Sequence, residues 1–143
     1  MPLTVLRDGH RELLRLLDDV IDAAGRNGAI SEIAEARRTM AQAAARYLAK
    51  KNMLVIAPLS RSPCPAHREL ARRLTDEILS TRQATIEHYG IWTLAAIEVD
   101  PREYRMTVRA LARSFEKRFH YEESEVYPVV LAAMQEAAAQ RAA

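Results

Sequence analysis

The chain has 143 residues, 49% of them hydrophobic and 28% charged, with only four glycines. That length supports one domain around a single sizeable core, and no Gly/Ser-rich linker, low-complexity run or internal repeat argues for a second module. Twenty-one basic residues against nineteen acidic ones leave a formal net charge of +2, without the sustained basic stripe that phosphate tracking needs, so nucleic acid is not an expected partner.

The opening Met1 to Asp8 has no long apolar core and does not read as a signal peptide. No segment approaches about 18 uninterrupted apolar residues, so no membrane span is expected and cytoplasmic residence is the default. Cys64 is the one cysteine, which rules out an intrachain disulfide or a cysteine metal cage; in the loop Ser60 to Ala66 it is read as incidental.

The first helix is expected over residues 3–24, because Leu3, Leu6, His10, Leu13, Leu17 and Val20 recur by threes and fours on one face. The run Gly25-Arg-Asn-Gly28 stops it. A second helix, 31–57, starts at Ser31 and ends before Pro58, with a stripe of Ile33, Met40, Ala44, Leu48, Asn52 and Val55. After the Pro63-Cys-Pro65 turn, Leu70, Leu74, Ile78, Thr81, Thr85, His88, Trp92 and Ala95 continue a helical period. Its length favours division into a short crossover helix, 66–79, and a core helix, 81–98, with Ser80-Thr81 as a fresh cap; one continuous kinked helix is the alternative. His67 then falls on the surface of the first turn. Asp100-Pro101 is a strong start for a fourth core helix, 101–127, which turns Val108, Leu111, Phe115, Arg118, Glu122 and Val126 inward. Pro128 marks a break or kink before a short tail helix. Four core helices with short links imply an all-α, antiparallel up-down four-helix bundle.

Five polar residues fall in register with apolar faces: His10, Asn52, His88, Arg118 and Glu122. A charge there is costly unless a metal or an opposite charge answers it. Asn52 and Glu122 each stand six residues before a proline, Pro58 and Pro128. Antiparallel packing is expected to bring them to one end-layer with His10 and His88, the way imidazoles and carboxylates converge in a bundle metal site.

With Asp-Gly-His10-Arg-Glu-Leu in the first helix, Ile-Glu-His88-Tyr-Gly-Ile in the third and Glu122-Glu-Ser-Glu-Val-Tyr-Pro128 closing the fourth, the chain resembles the hemerythrin-like, or HHE, cation-binding domain over residues 3–131. The resemblance implies a His-x-x-x-Glu pair in both the second and fourth helices. Here the fourth helix has Arg118 and Glu122 at those positions, and the second has Leu48 and Asn52. His10, His88 and Glu122 remain of the implied ligands. Arg118 cannot ligate a metal, since its guanidinium stays protonated, and an Arg118 to Glu122 ion pair is expected to fill the vacancy.

The sequence is therefore read as a non-enzymatic regulatory or binding protein whose di-iron site is lost or altered, with no cofactor. A rival reading keeps iron or another divalent metal for oxygen or redox sensing, held by His10, His88, Glu122 and His120, the last flanked by Glu116 and Glu123 one turn to either side. A third takes Tyr89 and Trp92, beside His88, as the lining of a small-ligand pocket. Ala41 to Ala45, with Tyr47, form a low-profile surface for a protein partner or a homodimer. No Ser/His/Asp order and no phosphate-cradling glycine loop points to an enzyme.

Overall fold

The inward stripe expected of the first helix is buried along its length: Leu3, Leu6, His10, Leu13, Leu17 and Val20 all face the core from α1, Pro2–Gly25. The computed structural model describes residues 2–26 and 29–142. Asn27 and Gly28, half of the expected stop signal, lie outside those residues. At Gly25 a Cβ would stand 2.7 Å from Cζ of Arg105. The bare glycine lets that guanidinium cross the last turn of α1, where unpaired carbonyls favour a cation.

α2 spans Ile30–Lys51, with Ala29 as an extended N-cap that makes no side-chain bond, so Ser31 sits inside the first turn rather than capping it. The helix does not end before Pro58. It widens into a π-helical turn, Asn52–Ile56, and resumes as α3, Ala57–Ser60. The same happens on the last helix: α6, Pro101–Tyr121, enters a π turn over Glu122–Val126 and continues as α7, Tyr127–Ala142, straight past Pro128. In each case the residue before the proline donates five residues back, Ala57 to Asn52 and Tyr127 to Glu122. A proline inside a helix lacks its own N–H and crowds the carbonyl four residues back. A wider turn just ahead of it absorbs that conflict without breaking the helix.

Residues 66–98 are not divided at Ser80-Thr81. α4 is one helix, Pro65–Ile91, followed by a short α5, Leu94–Val99. The hydroxyl of Thr85 bonds the carbonyl of Thr81 inside the helix at 2.9 Å, so the hydroxyl-bearing residues continue the helix rather than capping a new one. Leu74 is buried and Leu70 and Ile78 are half-buried, but every residue from Leu79 to Glu87 is exposed, including Thr81 and Thr85. Asp100 caps α6 as expected, accepting from the Glu103 amide at 3.1 Å, with Pro101 in the first turn.

The described secondary structure is all helical, and the chain forms an all-α bundle in which α1 lies along α2 and α6. The buried side chains form two clusters. One gathers Leu6, Leu13, Tyr47, Val55, Phe119, Tyr127 and Val130, and the other Leu17, Val20, Ile33, Ile97, Tyr104 and Val108. Met40 and Phe115 touch both. Ala43 and Tyr47 belong to the interior, so the expected low-profile surface at Ala41 to Ala45 is reduced to Ala41, Gln42 and Ala45, with Ala44 half-buried. No described helix is long and apolar enough to cross a membrane.

Candidate functional site

α1 supplies His10 at the centre of the first cluster, with 2% of its surface exposed. Its ring stacks on Phe119 of α6, centroids 4.0 Å apart and planes within 6°. Gly9, just before it, leaves room for Tyr47 of α2: a Cβ there would meet the tyrosine ring at 2.9 Å. Tyr47 can therefore bring its hydroxyl to 2.6 Å from His10 Nε2, and the Tyr127 hydroxyl reaches the same nitrogen at 3.0 Å.

The π turn explains how Tyr127 gets there. With its extra residue, Glu122 and Tyr127 come onto one face, and Val126 and Tyr127, though consecutive, are both buried. Glu122 is 1% exposed, with Oε2 3.4 Å from His10 Nε2 and 3.5 Å from the Tyr47 hydroxyl. Its other oxygen accepts from the ammonium of Lys51, which is itself 6% exposed. Lys51 and Tyr47 are one turn apart on α2, so a single helix face delivers both cation and phenol.

Burial pushes the Glu122 carboxyl up, but hydrogen bonding to His10 and the Lys51 charge outweigh it and hold the group at about 2. The phenols of Tyr47 and Tyr127 move the other way, well above the ordinary range, because they are buried and face the Glu122 charge. The result is a closed network of one carboxylate, one ammonium, one imidazole and two phenols. His10 Nδ1 is its unpaired member: it is buried without a hydrogen bond among the described residues, 3.6 Å from Glu123, whose carboxylate also lies 3.8 Å from Arg7.

The expected Arg118 to Glu122 contact exists at 3.5 Å, but it is secondary. Arg118 is about a third exposed and gives its main bond to Glu77 of α4. Asn52 is exposed. The proline spacing aligns the two helices along their axes but not in rotation, and α2 is turned so that Tyr47 and Lys51 reach the centre, while Leu48 packs at the edge of the core and Asn52 faces outward.

His88 does not join the layer of His10. It is half-buried against Tyr104, 6.1 Å between centroids, beside the second core cluster. Burial and the nearby Arg37 charge lower its pKa. His120 and Glu116 lie on the exposed face of α6, away from the centre. His67 is half-buried in the first turn of α4, bonded to the Ser62 hydroxyl at 2.7 Å. Tyr89 is partly exposed and Trp92 half-buried against Tyr104, 5.4 Å between centroids.

Lys51, Tyr47 and Tyr127 are the members of the network that periodicity missed. The available signal was the pair Tyr47 and Lys51 at i and i+4 on a stripe running from Ile33.

These residues do not fit a family-type metal centre. His10 Nε2 and both Glu122 oxygens already have protein partners, and a dication would meet the charges of Lys51 and Arg118. Among the described residues no three His, Cys, Asp or Glu side chains converge as a metal cage. No curated protein and no solved structure matches the chain. The family model for the hemerythrin HHE cation binding domain matches residues 1–130, nearly the whole length and every residue of the network. The chain therefore belongs to the hemerythrin HHE cation-binding domain family.

Proposed function

We propose that this chain is a non-enzymatic, metal-independent regulatory or binding member of its family, working in the cytoplasm, in which the Lys51 ammonium stands where the family holds a cation. The observation that carries this reading is the bond between Lys51 and Glu122, two side chains almost wholly out of solvent. A buried carboxylate needs a positive partner; here a side chain provides it. Burial of His10, Lys51 and Glu122, each less than a tenth exposed, favours a binding or regulatory role over turnover at these groups. Elemental analysis and an optical spectrum of protein purified aerobically, without chelator or affinity tag, test the reading. Metal-free protein is expected; near-stoichiometric iron with charge-transfer bands would contradict it.

A second reading, a reduced-ligand sensor of iron or another divalent metal, has one observation in its favour: the unpartnered Nδ1 of His10 beside Glu123. It requires Lys51 to swing out of the core. Uptake of ferrous iron under anaerobic loading would establish it in place of the first.

A further inference from the structure

Arg37 is the second buried cation of the core, and unlike Lys51 it has no counter-ion among the described residues. It lies on the inward face of α2 between Ile33 and Met40 and is 9% exposed. Its guanidinium carbon sits 4.5 Å from the ring centre of Tyr89 and 5.7 Å from that of Tyr104. Rings in those positions answer the flat faces of the guanidinium. They leave its edge, which carries five N–H donors, and among the described residues no carboxylate, carbonyl or hydroxyl accepts from it. Its nitrogens are not among the fully buried atoms that lack a partner, so that edge keeps an opening to solvent.

The surroundings of that edge are suited to a flat ligand. His88 lies 5.7 Å from Tyr89 and 6.1 Å from Tyr104, and Trp92 packs on Tyr104 at 5.4 Å. On the side of α4, residues Leu79 to Glu87 are exposed. His88 also registers the unanswered charge, since Arg37 contributes to its lowered pKa.

The geometry points to an oxyanion-binding site at Arg37, taking a small molecule whose carboxylate or phosphate meets the guanidinium edge and whose body lies against Trp92 and His88. The guanidinium fork matches two oxygens of either group. The site is separate from the network of His10 and Glu122 and does not depend on whether that network binds metal.

Trp92 is the only tryptophan in the chain, so its fluorescence reports on this site alone. Titration with benzoate and with inorganic phosphate distinguishes the two head groups, and neutral benzamide serves as the control. A saturable change with benzoate, phosphate or both, absent with benzamide, is expected, and Arg37→Gln should weaken it at least about tenfold. No saturable change with either anion, an equal response to benzamide, or an unchanged affinity in Arg37→Gln would overturn the proposal. Should that variant not fold, amide and indole shifts of the wild-type protein decide the matter. Shifts gathered at Arg37, His88, Tyr89 and Trp92 support the site, and shifts elsewhere or none refute it.

Discussion

Lys51 and Glu122 meet across the core at the two π-helical turns, one as the last residue before its turn and the other as the first residue within it. Neither is a surface ion pair, so each depends on the other for its charge. Lys51→Met leaves a buried carboxylate and Glu122→Gln a buried ammonium, and each is expected to cost about 3 kcal/mol in urea unfolding. The double variant should cost no more than either single one. Fully additive losses would show that the two side chains do not act as a pair.

Arg118→Leu should behave differently. Its guanidinium is about a third exposed and bonded chiefly to Glu77, itself 43% exposed. Exposed pairs of this kind contribute up to about 1 kcal/mol. A loss matching that of Lys51→Met would mean that Arg118 is the cation on which Glu122 depends.

The acid limb of stability follows from Glu122. Its carboxyl is lowered from 4.5 to about 2 in the folded protein, so its contribution is complete above 4.5, where the unfolded chain's group is also ionised. It is lost as pH falls from there through 2. The total is roughly 3 kcal/mol. Comparing unfolding free energies of wild type and Glu122→Gln from pH 6 to pH 2 isolates the effect, and the gap between them should narrow across that window. A constant gap would contradict the assignment.

Gly9→Ala tests the close approach of Tyr47. Alanine is the better helix former by about 0.8–1.0 kcal/mol, but its Cβ would stand 2.9 Å from the Tyr47 ring. Overpacking of this sort costs about 1–3 kcal/mol, so a net loss of stability is expected, together with loss of the 2.6 Å bond between Tyr47 and His10. In a Tyr47→Leu background the sign should reverse, because the clash is gone while the helix preference remains. A gain in the wild-type background would show that the ring moves aside freely.

At alkaline pH the buried phenols dominate. Tyr104 is pushed up to about 12 by burial, and Tyr47 and Tyr127 are raised further still. Their contribution is therefore whole below the ordinary phenol value of 10.0 and erodes as pH rises toward the folded values. Ultraviolet titration of the native protein should find these three of its five tyrosines still protonated at about pH 11. Full ionisation there without unfolding would contradict the burial.

Much of the bundle was legible because apolar spacing reports burial directly. The α1 stripe and the Asp100-Pro101 start needed nothing beyond side-chain chemistry and helical period. His10 and Glu122 were legible for the same reason, as polar residues on otherwise apolar faces. Lys51 was not, because a lysine at such a position normally carries its charge out to water, and counting back from Pro58 fixes height along a helix but not rotation about it. The expected division of α4 is absent at Thr81, whose carbonyl accepts from the Thr85 hydroxyl within the continuing helix. Arg37 escaped notice because its partners, Tyr89 and Tyr104, belong to other helices.

If the Lys51 ammonium takes the cation's place in this core, metal is irrelevant to stability, and the melting temperature measured with a strong chelator and with excess ferrous iron under anaerobic conditions decides the matter. A metal held by the folded state alone must raise that temperature, by about 2.7 kcal/mol of added stability at a hundredfold excess over its dissociation constant. The same melting temperature in both conditions is expected; a lower one with chelator, or a higher one with iron, would show that the core holds a metal and not the Lys51 ammonium alone.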